Sequence, residues 1–187
     1  MGSVTGSLLG IIALVIGALF NFWLTRRRVA RIRSEEADAV AAALFGEIVL
    51  FREELARVAK FVAGIVANHR DFDEHFLEHI HLQEPALYKA LSAKVGLLEA
   101  SILLPIITFH NRVQSVRDWL PQLVENKDRK YSYSPLTVLE PAISGIEDIL
   151  PILNLLASRI GVTPPVQKPE MGYAYAILET ERDRFAN

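Results

Sequence analysis

The chain has 187 residues, which suffices for one membrane segment and one domain of roughly 150 residues with a single core. Its formal net charge of −2 lacks the basic excess of nucleic-acid-binding domains, so we expect no nucleic acid among its partners. It contains no cysteine, which excludes disulfides, thiolate catalysis and sulfur-bound zinc. Hydrophobic residues make up 51% of the chain, and part of this excess forms one block at the N-terminus.

The N-terminal block predicts a transmembrane helix over residues 1–25. It holds no charged residue, and residues 8–24 read LLGIIALVIGALFNFWL, with Asn21 as the strongly polar exception. A hydrocarbon core of about 30 Å needs roughly 20 helical residues, which this block supplies. A secretory signal peptide is the alternative, but the block has no basic leading region and no small-x-small cleavage site after it.

Arginines follow the apolar block and predict its orientation. The basic juxtamembrane segment, residues 26–36, contains Arg26, Arg27, Arg28, Arg31 and Arg33. Because positively charged flanks stay in the cytoplasm, we expect a single-pass protein of the inner (plasma) membrane, with its N-terminus outside and its C-terminal domain cytoplasmic. The same arginines suit anionic lipid headgroups, so the lipid bilayer is a predicted partner.

Small residues recur every four positions along the predicted span, at Gly2, Gly6 and Gly10 and again at Ala13, Gly17 and Asn21. This spacing lets two helix backbones approach closely, and an asparagine in lipid gains from a hydrogen bond to a neighbouring helix. The sequence therefore favours a homo-oligomer or a complex with another membrane protein. The residues assigned to membrane association are Gly6, Gly10, Gly17, Asn21, Arg26, Arg27 and Arg28.

Apolar residues at alternating spacings of three and four predict a helical bundle over residues 37–161. The first seam comprises Leu44, Ile48, Phe51, Leu55, Val58, Val62 and Ile65. No proline or turn cluster interrupts residues 23–68, so the membrane helix and the first bundle helix are predicted to form one continuous helix. Gly46 and Gly64 are the positions where this helix is predicted to be weakest. Strand-like alternation is absent. The predicted fold class is therefore all-α, one N-terminal transmembrane helix continuing into a cytoplasmic antiparallel helical bundle.

Capping residues and a proline divide the next stretch into short helices. Asp71 has the position of an N-cap, which predicts a helix that ends near Leu82. Pro85 suits the first position of another helix. Gly96 is typical of a helix stop and predicts a break over residues 96–100.

The following helix is predicted to begin near Ser101 and to end around Glu125, which places Pro105 in its first turn. Residues 95–109 are strongly apolar, so a second membrane span is an alternative. The run is too short for a span and contains Glu99, and we therefore interpret it as core.

A polar loop over residues 125–134 precedes another long helix that ends at Gly161. Pro141 and Pro151 lie inside this helix and are predicted to kink or split it, because each removes a backbone donor. Residues 162–187 are predicted to form a proline-rich linker and a tail helix, which docks either on this bundle or on a partner.

Four of the five histidines fall within residues 68–81, NHRDFDEHFLEHIH. His75 and His79 share a helix face at a spacing able to hold a metal, with neighbouring carboxylates as further ligands. The zinc-protease motif is absent, since Phe76 rather than glutamate follows the first histidine. A solvated polar face is the favoured interpretation, with a metal site at His75 and His79 and pH sensing as alternatives.

No other motif predicts chemistry, so neither an enzyme nor a cofactor is expected. The sequence has no phosphate-binding loop and no nucleophile elbow. His110 is the one histidine outside residues 68–81, which argues against a catalytic triad. Glu47, Glu53 and Glu54 lack the Glu-x-x-His partner of a di-iron site.

The order of these features resembles a broad group of uncharacterised bacterial single-pass inner-membrane proteins. The resemblance spans about residues 5–120 and rests on residues 87–113, LYKALSAKVGLLEASILLPIITFHNRV, in which Tyr88, Gly96, Leu97, Leu98 and Phe109 match. His110 departs from it, because the group often has tyrosine there. The resemblance implies a bacterial inner membrane and a break at Gly96, and it implies no activity.

Together these features favour a non-enzymatic, membrane-anchored helical module that acts as a self-associating scaffold or as an accessory subunit of a membrane complex. The alternative is a membrane-coupled sensor or effector that binds a metal, a proton or a small ligand in the bundle.

Overall fold

The computed structural model describes residues 2–80, 82–125, 134–164 and 169–186, and for residues 2–13, 15, 74, 125 and 186 only the backbone is described. Every regular element in these ranges is a helix, which confirms the predicted all-α class. The elements are α1 (Gly2–Ala67), α2 (Glu74–His79), α3 (Ala86–Leu91), a 3₁₀ turn (Val95–Leu97), α4 (Ala100–Trp119), α5 (Gln122–Glu125), α6 (Leu136–Asp148), α7 (Leu150–Ile160) and α8 (Ala174–Ala186).

Helix α1 is one unbroken rod of 66 residues, as the lack of breakers predicts. At about 1.5 Å per residue it is roughly 100 Å long. Gly46 and Gly64 lie inside it without a break. The first buried residue along the described part of α1 is Ala37, and from there the helix runs through the core.

The second half of α1 packs against α6 and α7 in antiparallel orientation. Asp38, near the start of the buried part, pairs with Arg159 at 2.7 Å, whereas Leu55 further along meets Gly145. The predicted seam is buried at Leu44, Ile48, Phe51, Leu55, Val58 and Val62. A Cβ atom at position 145 would lie 3.2 Å from Leu55 Cδ1, so the glycine permits a close approach of the two helices.

The caps of the short helices differ from the prediction. Asp73, not Asp71, caps α2, because its carboxylate accepts a hydrogen bond of 2.9 Å from the Phe76 N–H. Helix α2 ends at His79 rather than near Leu82, and the next residue, Ile80, is extended.

Helix α3 begins one residue after Pro85, which is the N-cap and not the first helical residue. It ends at Leu91, well before Gly96, and turns and the 3₁₀ element fill the interval to α4. The break predicted at residues 96–100 therefore begins earlier, at Ser92, where the six-residue α3 has ended.

Pro105 lies deeper inside α4 than the sequence predicts. The helix begins at Ala100, which places Pro105 beyond its first turn. The ring leaves the Ser101 carbonyl without its usual amide partner, and this cost is limited because Ser101 is exposed to water. Helix α4 ends at Trp119 rather than around Glu125, since Pro121 interrupts the ladder.

The predicted long helix is split, as its prolines suggest. The division falls at Ile149, and Pro151 occupies the first turn of α7, where no amide donor is needed. Pro141 remains inside α6 without a break. Gly161 ends α7 in the left-handed conformation with φ 71°, as predicted.

The tail helix packs on its own bundle, which decides between the two alternatives left open. Met171, Ala174 and Leu178 are buried against α1 and α6. Lys60 of α1 pairs with Glu170 at 2.9 Å. Residues 126–133 of the polar loop and residues 165–168 of the linker lie outside the described residues.

Candidate functional site

The N-terminal part of α1 projects away from the core. Every described side chain among residues 14–36 is exposed, and Leu14, Leu19 and Phe22 reach 75%, 63% and 66% exposure. Among the described residues, no helix combines the length and the hydropathy of a membrane span. The described side chains of residues 14–24 therefore form an exposed apolar surface.

The residues assigned to self-association fall on this projecting part. Gly17 and Asn21 are exposed and lie one helical turn apart, so they share a face. A Cβ atom at position 17 would meet no atom within 4 Å. Gly6 and Gly10 belong to the same helix, in the stretch for which only the backbone is described.

A basic collar, Arg26, Arg27 and Arg28, follows the apolar surface and is exposed. The Arg27 guanidinium lies over the Trp23 ring at 5.2 Å from its centroid. The Trp23 ring stacks in turn with Phe20 at 6.3 Å. Two aromatic rings and one cation thus follow one another over about two helical turns at the end of the apolar surface, an arrangement that suits the headgroup level of a bilayer.

The histidine cluster, His75, Glu78 and His79, lies on the exposed face of α2. The ligand atoms of these three side chains lie within 4.8 Å of one another. The two imidazole rings meet edge to face with centroids 4.6 Å apart. His75 Nδ1 and Glu78 Oε2 are separated by 2.9 Å. The structure thus brings together the two histidines predicted from their spacing.

A groove of about 310 Å³ runs beside this cluster, between α2 and the end of α1. It is lined by Phe61, Ile65, Arg70, Asp71, Asp73, His75, Phe76 and His79. His69 is exposed and adopts a left-handed backbone with φ 52°, outside the cluster. His81, the fourth histidine of the segment, lies outside the described residues.

A second polar constellation, Glu47 with His110, lies inside the bundle and was missed by sequence reasoning. Both side chains are at most 5% exposed, and Glu47 Oε2 lies 3.2 Å from His110 Nε2. The carboxylate also accepts hydrogen bonds from the N–H groups of Leu87 (2.8 Å) and Tyr88 (2.9 Å). Glu47 therefore caps α3 from another helix. Since 63 residues separate the pair, no local spacing signals it.

The other ring nitrogen of His110 contacts its own helix. Nδ1 lies 2.9 Å from the Ile106 carbonyl oxygen, which only accepts, so Nδ1 donates this hydrogen bond. Nε2 faces Glu47 Oε2 at 3.2 Å. The Tyr88 ring stacks on His110 with centroids 3.9 Å apart. The pair thus links α1, the α3 N-terminus and α4.

Two further charged side chains have shifted pKa values. Arg52 is 2% exposed, and its Nε donates to the Ile146 carbonyl at 3.3 Å. Burial lowers its pKa, against the opposing effects of Glu53 and Tyr175. At the surface, a hydrogen bond and the charge of Lys89 lower the pKa of the Glu84 carboxyl, and desolvation opposes this shift.

Comparison with known proteins gives no match to any family model, to any curated protein or to any solved structure.

Proposed function

We propose that this chain is a non-enzymatic, membrane-anchored helical module that self-associates or serves as an accessory subunit of a membrane complex. Residues 1–25 cross a bacterial inner membrane in this proposal, with the N-terminus outside and the bundle in the cytoplasm. The observation that carries it is the division of α1, which exposes apolar side chains over its first part and supplies the core with its second part.

Anchoring is supported by the exposed apolar side chains of residues 14–24. A monomer in water rarely exposes so long an apolar surface, because removing each CH₂ group from water is favourable by about 0.8 kcal/mol. Large members of this surface are Leu14, Ile16, Leu19, Phe20, Phe22, Trp23 and Leu24. Hydrocarbon around the helix removes this cost, and the uncharged sequence before residue 14 extends the apolar length to that of a span.

Orientation is supported by the basic collar directly after Trp23. Arginines in short flanking segments stay on the cytoplasmic side, and the aromatic rings beside them prefer the interface. The resemblance of residues 5–120 to bacterial single-pass inner-membrane proteins supports the same setting.

Self-association is supported by the face that Gly17 and Asn21 share. With no atom within 4 Å of a Cβ at position 17, a second helix backbone has room to approach there. The Asn21 amide then gains a hydrogen bond across the interface, in a medium that offers no water. The occupant of this face is a second copy or another membrane protein.

A non-enzymatic role is supported by how the buried polar groups are used. Glu47 and His110 satisfy each other and three backbone groups, so neither is free to move a proton to or from a substrate. The sequence also lacks the motifs of phosphate-binding loops and nucleophile elbows.

The anchor and its orientation are tested with single cysteines, because the chain has none of its own. We expect the protein to remain in bacterial membranes after an alkaline carbonate wash. A membrane-impermeant maleimide should label Ser3→Cys in intact cells and label Ser92→Cys only after permeabilisation. Release by carbonate would overturn the anchor, and labelling of Ser92→Cys in intact cells would reverse the orientation.

Self-association is tested by the mass of the detergent-solubilised full-length protein. We expect an oligomer in the wild type and a monomer in Gly17→Ile, because the branched side chain keeps a second backbone away. Leu19→Ile is the matched control, since it changes a neighbouring exposed position without adding bulk, and it should remain oligomeric. A monomeric wild type would contradict self-association and leave the role of an accessory subunit as the proposal.

A membrane-coupled sensor or effector is the second candidate, and the continuity of α1 favours it. A single helix without a break couples the bundle to the predicted span, so a displacement of the bundle would move the membrane end as well. A bundle ligand that changes disulfide formation between Gly17→Cys protomers in membranes would support the sensor, whereas unchanged cross-linking would favour the scaffold.

A further inference from the structure

We propose that His75, Glu78 and His79 form a binding site for a divalent transition-metal ion, with Zn²⁺ as the ion best suited to these ligands. This inference goes beyond the anchoring role and is independent of it, because all three side chains lie on α2, far along the chain from the predicted span.

The ligand set has the chemistry of a zinc site. Two imidazoles and one carboxylate suit Zn²⁺, and Co²⁺, Ni²⁺ and Cu²⁺ share this preference for nitrogen. A water molecule completes the tetrahedron. The spacing of the histidines, i and i+4 on one helix, places both rings over the same surface, and Glu78 at i+3 lies beside them.

The distances need only a small contraction to bind an ion. The ligand atoms already lie within 4.8 Å of one another, whereas tetrahedral ligands at zinc bond lengths stand about 3.3 Å apart. The His75 and Glu78 side chains are 76% and 70% exposed, so rotation about their side-chain bonds meets little resistance. An ion placed between them replaces their present hydrogen bond of 2.9 Å.

One ring is already oriented for coordination. His79 Nδ1 lies 2.9 Å from the His75 carbonyl oxygen, and since that oxygen only accepts, Nδ1 donates. This hydrogen bond fixes the tautomer and leaves the Nε2 lone pair for the metal. Metal-binding histidines commonly hold their second nitrogen in this way.

The charges around the groove favour a cation. Two carboxylates, Asp71 and Asp73, line it together with one cation, Arg70. Asp73 uses one oxygen to cap α2, which holds the N-terminus of the short helix in place beneath the histidines. Glu78 adds a further negative charge at the site itself.

Binding would stabilise α2. A six-residue helix is marginal by itself, because so few hydrogen bonds offset the cost of nucleation. A metal held by His75 and His79 bridges its first and last turns and shifts the equilibrium toward the helix by mass action.

The test is titration of the full-length, untagged protein in detergent micelles with Zn²⁺ alone, followed by calorimetry, and with Co²⁺ alone, followed by absorption. We expect one site in the wild type and an affinity at least about tenfold weaker in His79→Ala and in His75→Ala. Zinc should raise the thermal unfolding midpoint of the wild type but not of these two variants. No binding by the wild type would overturn the proposal.

The matched control is His69→Asn, which removes a neighbouring imidazole and suits the left-handed backbone there. It should bind zinc as the wild type does. Equal loss in this variant and in His79→Ala would overturn the site, because it would indicate diffuse binding to surface histidines. Circular dichroism of each apo variant confirms that the fold is intact. Carbonate extraction and cysteine labelling, which test the anchor, are unaffected by either result.

Discussion

Glu47 Oε2 and His110 Nε2 lie 3.2 Å apart inside the bundle, although 63 residues separate them in the chain. The carboxylate at this point also receives the amides of Leu87 and Tyr88, so one side chain connects α1 with α3 and α4. Pro85 at the N-cap of α3 has no side-chain hydrogen bond to offer. The start of α3 therefore depends on Glu47.

Replacing Glu47 by alanine should lower the free energy of unfolding by about 3 kcal/mol, because two backbone donors lose their acceptor and His110 Nε2 loses its buried partner. Urea unfolding of a fragment that begins at Ser34, ahead of the described core, measures this loss. Glu36→Ala, at an exposed position of the same helix, should stay within about 0.5 kcal/mol of the wild type. A loss below about 1 kcal/mol in Glu47→Ala would contradict the capping role.

Two glycines should respond in opposite directions to added bulk. Gly145→Leu should destabilise the bundle by about 1–3 kcal/mol, because even a Cβ at this position comes within 3.2 Å of Leu55. Gly46→Ala should stabilise it by about 0.5–1 kcal/mol, since the position is exposed, helical and open. Thermal unfolding of the same fragment compares them. Equal effects would show that α1 and α6 do not approach closely at residue 145.

The docking of α8 should fail when a charge enters its buried face. Ala174 is fully buried, so Ala174→Glu places a carboxylate against apolar side chains and should lower amide protection across α8 by about tenfold or more in hydrogen exchange. Ala176→Glu makes the same change on the exposed face and should leave protection unchanged. If both variants retain full protection, α8 does not depend on this contact.

The Glu84 and Lys89 pair should contribute stability only while the carboxyl is ionised. Its pKa in the folded chain lies below the ordinary value of 4.5, so the contribution is present above pH 4.5 and is lost as the pH falls through the folded value. Glu84→Gln should therefore lower the urea midpoint slightly at neutral pH and leave it unchanged in acid. Lys89→Met removes the partner of Glu84, so it should likewise lower the urea midpoint slightly at neutral pH and leave it unchanged in acid. A difference between the wild type and Glu84→Gln that persists in acid would assign it to another cause.

The spacing of residues along the chain was enough to predict the local features. A seam at intervals of three and four, without a breaker, predicts the continuous α1, because helical hydrogen bonds join residues only four apart. The same rule places His75 and His79 on one face, and the glycine backbone predicts the end of α7 at Gly161.

Two helix boundaries differ from those that the sequence analysis predicts, although nearby residues set both. Asp71 and Asp73 carry the same carboxyl group, and in the folded chain it is Asp73 that accepts the Phe76 N–H and caps α2. Pro121 ends α4 where spacing alone would have continued it.

The pattern of residues along the chain predicts that it is helical, that its first part is apolar and then basic, and that α1 continues unbroken through both. The contact of Glu47 with His110 and the packing of α8 on its own bundle at Ala174 became visible in the folded chain alone. The difference lies in the separation along the chain over which each interaction acts. Helix periodicity is set by hydrogen bonds over four residues, whereas a buried polar contact between helices or a docked helix is set by which surfaces pack together once the bundle has formed.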